Sequence, residues 1–193
     1  MKLALFGYGG HAREVAAQID KDVTFFVDDE YAILGSVKPI SDFDPSKYTM
    51  MVAVADSKDR FDIVQRLPKK TKYFSFIHPT AIILDSNTKI GCGTFIGANS
   101  IITTNIEIGS HCILNRGNHI GHDTRIGNYF SAMPGAIVSG NVIIHDLVYM
   151  GTNSSIKEKL SIHSLTTIGS NAAVVKNIEE SGTYVGVPAK KIK

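Results

Sequence analysis

The sequence predicts an α/β unit over residues 1–77 followed by an all-β parallel solenoid over residues 78–193. One observation behind this is a period of six. Stepping by six from Leu84 through Ile90, Ile96 and Ile102 to Ile168 and Val174 visits sixteen positions, and fifteen of them are Leu, Ile, Val or Met. Another is the turn Gly7-Tyr8-Gly9-Gly10, set between an apolar run and an amphipathic segment. The last is the acid pair Asp28-Asp29 at the end of a second apolar run, about twenty residues after the turn.

Lys2 to Phe6 reads as a buried strand, His11 to Ile19 as a helix with Val15, Ala16 and Ile19 on one face, and Val23 to Val27 as a second strand. Gly7, Gly9 and Ala12 spell G-x-G-x-x-A, the signature of a Rossmann-like βαβ unit. Such glycines let the backbone approach a phosphate at the helix N-terminus, beside Gly10 and His11. A carboxylate at the next strand end, here Asp28 or Asp29, accepts from ribose hydroxyls or a base N–H. Two ligands fit, a dinucleotide such as NAD or a smaller nucleoside diphosphate. A third strand at Met50 to Ala55, a helix near Lys58 to Leu67 and a strand at Tyr73 to Ile77 complete the unit. That is one mononucleotide half of the full fold, which favours the smaller ligand. Asp56 and Ser57 follow the third strand on the ligand edge, where a helix N-cap and a ligand contact are equally good readings.

A helix needs apolar spacings of three and four and a strand needs alternation, so a sustained period of six suits neither. It suits short strands joined by corners, three to a coil of eighteen residues, with the aliphatic residue on the axis. A second inward position lies four residues on, as at Thr94, Ser100, Cys112, Ala136 and Ser154. Glycine follows the aliphatic residue at seven of the sixteen positions, where a corner needs unusual φ/ψ or close backbone approach. Stacked parallel coils make residues eighteen apart neighbours, at about 4.8 Å. On this rule His122 meets Gly140, so that an imidazole base and a backbone N–H donor share one corner. Asp123, next in sequence, is placed to hold the ring in one tautomer. Asn118 is expected inside, between Ser100 and Ala136, whereas His111, His119, His145 and His163 fall on outward phases and read as surface residues.

Charge is balanced at +2, from 20 basic and 18 acidic residues, and forms no basic stripe for nucleic acid. Cys92 and Cys112 match no zinc or redox spacing, which points to a reduced, cytoplasmic protein. No run is long and apolar enough for a membrane span, so no membrane insertion is expected. The irregular outward residues Lys89, Glu107, Arg125, Lys157 and Lys159 argue against a flat ice-binding surface. Histidines spaced as His119 and His122 argue against a zinc enzyme of the gamma carbonic anhydrase type, and no metal is expected.

Taken with Leu114-Asn115, Pro134-Gly135-Ala136, Gly140-Asn141-Val142 and Gly186-Val187-Pro188-Ala189-Lys190, these motifs run nearly the whole chain. The chain resembles the bacterial sugar acyltransferases that join a small nucleotide-binding domain to a left-handed parallel β-helix of hexapeptide repeats. These include nucleotide-linked 4-amino-sugar N-acetyltransferases of surface glycan synthesis and sialic acid O-acetyltransferases. The resemblance implies a left-handed coil, a homotrimer with active sites between subunits, and acetyl-CoA as the donor. It implies His122 as general base, Asp123 as its partner, Asn115 near the acceptor amine and Gly140 as backbone donor to the thioester carbonyl. It also places coenzyme contacts at Ser131, Thr152 and Ser170, and Lys190 is expected near the coenzyme phosphates. Two departures stand out: Ser131 replaces a second histidine, and Ala55-Asp56-Ser57 replaces a Gly-Asn-Asn motif.

Overall fold

The computed structural model describes residues 1–19, 21–32 and 35–193. In the N-terminal unit β1 (Lys2–Phe6), α1 (Gly10–Gln18), β2 (Val23–Val27), β3 (Lys38–Pro39), β4 (Tyr48–Val52), α2 (Ser57–Arg66) and β5 (Lys72–Tyr73) follow in order. All the strands are parallel and lie in the order β3-β2-β1-β4-β5. β1 is central, and both its faces are covered, which is why it reads as a continuous apolar run. Ala4 and Phe6 join Phe26, Met50 and Ile63 under α2, while Leu5 joins Ala12, Val15 and Met51 under α1. β3 was not expected: two residues ending in proline leave no periodic signal. The expected strand at Tyr73 to Ile77 is two strands in different sheets. Lys72–Tyr73 closes the N-terminal sheet, and Phe76–Ile77 pairs with Phe95–Ile96 of the solenoid.

From Phe76 the chain winds a three-sided coil built mostly of two-residue parallel strands. The first side runs Phe76–Ile77, Phe95–Ile96, Ile113–Leu114, Ser131–Ala132, Tyr149–Met150 and Thr166–Ile168, and a C-terminal hairpin of Gly182–Val185 and Lys190–Lys191 ends it. The second side includes Ile101–Ile102, His119–Ile120 and Ile137–Val138, and the third Glu107–Ile108, Arg125–Ile126 and Ile143–Ile144. Partners such as Leu114 and Ala132, or Ile120 and Val138, are eighteen apart. The axial aliphatics form one buried core. Thr94, Ser100, Asn118 and Thr124 lie inside it with no exposure. Their donor groups are met by corner carbonyls, as in Thr94 to Gly109 (3.0 Å), Ser100 to Asn115 (3.0 Å) and Asn118 Nδ2 to Met133 (2.8 Å).

One expectation about the repeat is corrected, and the two readings of its glycines are separated. Ile102 pairs with Ile83 and not Leu84, so the first coil carries one extra residue, and Leu84 is 61% exposed. The extra residue sits in a turn closed by Asp85, whose carboxylate accepts from the Asn87 N–H at 2.9 Å. The glycines after the aliphatic residue are not the left-handed ones. Positive φ recurs two residues later, at Asn99, Asn105, His111, Asp123, Asn141 and Asn153 among others. Gly121 is needed instead for close approach, because a Cβ there would lie 2.5 Å from the Gly140 amide nitrogen of the next coil.

The N-terminal unit docks on the first side of the coil, whose outward residues Phe95 and Ile113 pack with Leu5, Ala12 and Val15. Arg60 of α2 fastens the joint. It is fully buried, and among the described residues no carboxylate pairs with it. Its guanidinium donates to Val54, Ala55 and Asp56 carbonyls on its own side, and to the His111, Tyr129 and Phe130 carbonyls and the Ser131 hydroxyl on the coil. Burial lowers its pKa to about 10, which still leaves it charged near neutrality.

His111 departs from the surface role expected of it. Docking covers its corner, so the ring is buried, stacked on Tyr129 (centroids 5.2 Å apart) and met edge-on by Tyr73 (4.5 Å). Burial, then the Arg60 charge, lowers its pKa to about 4; the same two causes lead at His11, also lowered to about 4. Both histidines are therefore neutral in the folded joint and take up a proton near pH 6.5 once unfolded. The unfolded chain binds more protons between pH 6.5 and 4, so stability is complete above pH 6.5 and is lost as pH falls toward 4. A melting series should be flat from pH 8 to 7 and fall below 6.5. The slope should shrink in His111→Phe, and an unchanged slope would contradict this origin.

Candidate active site

The corner between the second and third sides carries His122 and, one coil later, Gly140. The His122 Nδ1 lies 2.7 Å from Asp123 Oδ2, so its N–H donates to the carboxylate and Nε2 keeps its lone pair. The same contact, and then one from Asn105, hold the Asp123 carboxyl below the usual carboxylate range. Asp123 has φ of 60°, a left-handed corner position that Asp tolerates and most residues do not. Nε2 lies over Gly140: a Cβ there would come within 2.5 Å of it. The Gly140 N–H donates to no backbone carbonyl among the described residues. An unshared imidazole lone pair beside a free backbone N–H can take a proton from a nucleophile and stabilise a developing oxyanion. Gly140→Ala should push the exposed ring aside, lowering kcat about tenfold or more with little change in melting temperature. Kinetics beside a melting curve check it.

A second site lies on the N-terminal unit. Phe6, Gly7, Tyr8, Gly9, Val27, Asp28, Tyr31 and Val37 line a cavity of about 310 Å³. Gly7 has φ of 109°, which only glycine adopts without strain. α1 starts at this cavity with Gly9 as its N-cap, no side-chain cap and no acid in the first turn. Its first N–H groups and the open space around Gly9 and Gly10 suit an anionic group. Asp28 reaches the cavity, and its carboxylate forms a forked pair with Arg66, a residue the sequence reading missed. Asp29 is turned the other way: it accepts from the Ser41 N–H at 3.0 Å and lines a neighbouring cavity with Ser41, Phe43 and Arg66.

Four expected ligand contacts serve the fold instead. The His11 ring faces the coil, edge-on to Phe95 at 6.1 Å, and not the glycine cavity. Ser57 (3% exposed) and Ser131 (0%) are buried against each other, 3.1 Å between hydroxyls, with Ser131 also donating to the Ala55 carbonyl at 2.7 Å. A coenzyme on this surface cannot reach Ser131, because α2 covers it. Asp56 is the N-cap of α2, accepting from the Lys58 and Asp59 N–H groups at 2.9 Å each.

The remaining residues lie away from His122 within the chain. Asn115 (4% exposed), Thr152 and Ser170 occupy the corner between the first and second sides, and Lys190 lies in the exposed C-terminal hairpin. α1 runs along that Asn115 corner, tied by Glu14 to Arg116 (3.1 Å) and Gln18 to the Ala98 N–H (3.2 Å). Two corners thus share the expected chemistry. Among the described residues no group of three or more His, Cys, Asp or Glu could hold a metal ion, and no helix is long and apolar enough to cross a membrane.

Residues 87–122 match the bacterial transferase hexapeptide model of six repeats, and residues 2–67 match the PglD N-terminal domain. The chain joins a PglD N-terminal domain to bacterial transferase hexapeptide repeats, an arrangement like that of the bacterial sugar acyltransferases. Among curated relatives, it is 28% identical over 172 residues to the GDP-perosamine N-acetyltransferase of Escherichia coli O157:H7, covering 80% of the chain and 77% of the relative. Among solved structures it superposes on WeeI from Acinetobacter baumannii AYE with a TM-score of 0.88, 27% identity and all of both chains covered. PerB from Caulobacter crescentus, in complex with CoA and GDP-perosamine, gives a TM-score of 0.89 at 23% identity, covering 100% and 98% of the two chains. The coil is the left-handed parallel β-helix of this family, against the usual right-handed preference for parallel crossovers.

Proposed function

We propose that this protein moves the acetyl group of acetyl-CoA to the amine of a nucleotide-linked amino sugar in the cytoplasm, with a UDP- or dTDP-4-amino-4,6-dideoxyhexose as the acceptor class. The His122-Asp123 pair lying over Gly140 is the observation that carries this reading. The amine attacks the thioester carbonyl, forming the N–C bond, and His122 Nε2 accepts the ammonium proton while the Gly140 N–H stabilises the oxyanion. The C–S bond then breaks, and the proton passes from His122 to the departing thiolate. The glycine cavity at α1 holds the diphosphate, with Asp28 toward the nucleoside. The relatives in the comparison that act on GDP-perosamine support the amino-sugar class.

The assembly we propose is a homotrimer. Asn115, Thr152, Ser170 and the α1 loop sit at one corner and His122 with Gly140 at another, so a neighbouring subunit supplies the other half of each site. Ile82, Ile137 and Ile143 leave apolar surface on the second and third sides for that contact. Light scattering should give three times the 20.9 kDa chain mass.

Purified protein with acetyl-CoA and UDP-, dTDP- or GDP-linked 4-amino sugars in separate reactions, read by free thiol release, tests the activity. Turnover with an amino sugar nucleotide and none with free sialic acid is expected. Turnover on the sialic acid hydroxyl alone would replace N-transfer by O-transfer, and no thiol release with any acceptor would overturn acyl transfer.

A further inference from the structure

Asp123 is held from two sides, and only one of them is His122. One coil earlier, at the same corner, Asn105 Nδ2 lies 2.6 Å from Asp123 Oδ1, so one carboxylate oxygen serves the imidazole and the other an amide. The amide orientation is determined by its surroundings. Arg125 donates to the Asn105 carbonyl at 2.6 Å and reaches Oδ1 at 3.4 Å, which turns the NH₂ toward Asp123. The Asn105 N–H donates to Asp85 Oδ2 at 3.0 Å, fixing its backbone. Backbone geometry repeats as well: Asn105 has φ of 55° and Asp123 of 60°, and the Asp123 N–H donates to the Thr104 carbonyl at 3.0 Å.

We propose that Asn105 is a positioning residue for the acyl-transfer step, orienting Asp123 so that His122 presents Nε2 to the acceptor. This rests on His122 being the base. The requirement is narrow. The position needs a residue that enters the left-handed region at low cost, which favours Gly, Asn and Asp. Of these only Asn offers a donor, and Asp would set a second carboxylate against Asp123. The carboxylate is half exposed and otherwise free to rotate about its own side-chain torsions; a second hydrogen bond removes that freedom.

Asn105→Gly tests this because it keeps the backbone conformation and deletes only the side chain. A kcat lower by about tenfold is expected, with KM for acetyl-CoA and for the nucleotide sugar within twofold and the melting temperature unchanged. Asn105→Asp should be at least as slow. In the His122→Ala background the added Asn105→Gly change should alter the residual rate less than twofold, since its effect passes through the ring. Wild-type kcat in Asn105→Gly beside a crippled His122→Ala would overturn the role of Asn105 alone. Wild-type kcat in His122→Ala would overturn the base on which it rests. A loss in Asn105→Gly accompanied by a fallen melting temperature, or undiminished in the His122→Ala background, would make Asn105 a merely structural residue.

Discussion

His122→Ala is expected to lower kcat by about three orders of magnitude while leaving nucleotide-sugar affinity and melting temperature close to wild type. The side chain is 64% exposed and contributes nothing to the core, so its removal has no packing cost. What it contributes is a lone pair on Nε2, directed over Gly140, that exists because Nδ1 donates to Asp123. Asp123→Asn should recover little: the asparagine NH₂ can donate to Nδ1, driving the ring proton to Nε2, the nitrogen that must accept. The glycine cavity proposed to hold the nucleotide lies on a different unit and is untouched by either change. Thiol-release kinetics with calorimetric titration of the nucleotide sugar read both quantities. Near-normal turnover in His122→Ala would remove the imidazole from the reaction.

The other large effect concerns Arg60. Arg60→Met is expected to destabilise the protein by about 4 kcal/mol, a fall in melting temperature of roughly 10 °C. Methionine fills much of the volume but provides no donor. Three carbonyls at the end of β4, three on the coil and the Ser131 hydroxyl all lose their common partner in a buried joint. Lysine should not rescue it, since three donors on one nitrogen cannot reach acceptors spread around a planar fork. The joint should open at the link between β5 and the coil, so proteolysis near residues 71–75 should rise as the melting temperature falls. An unchanged melting curve would show that the bonds of Arg60 carry no net stability.

Much of the site was legible in the chain itself. An eighteen-residue coil sets His122 beside Gly140 by arithmetic, and the structure has them in contact. The same arithmetic extended one coil back also pairs Asn105 with Asp123, a step the sequence reading did not take. It placed Asn118 inside correctly and put Leu84 on the axis wrongly, because one extra residue in a corner leaves the hydrophobic pattern looking continuous: Ile82, Ile83 and Leu84 are all aliphatic. His111 and Ser131 were misplaced for a different reason. Their repeat phase is outward, but the second unit sits on that side. A signal for docking existed in the outward apolar residues Phe95 and Ile113, against charged Lys89, Glu107 and Arg125 on another side.

Periodicity is a property of neighbours along the chain and of a fixed rise per coil, so the sequence by itself determined the strand-and-corner architecture, the inner core and the corner where His122 meets Gly140. The glycine loop is likewise local, since positive φ at Gly7 and an uncapped helix start need no distant partner. Which outward face is covered, and so whether a given serine or histidine meets a ligand or another side chain, depends on contacts between segments far apart in sequence. Arg60 to Ser131 and Ser57 to Ser131 are such contacts, and only the tertiary structure decided them.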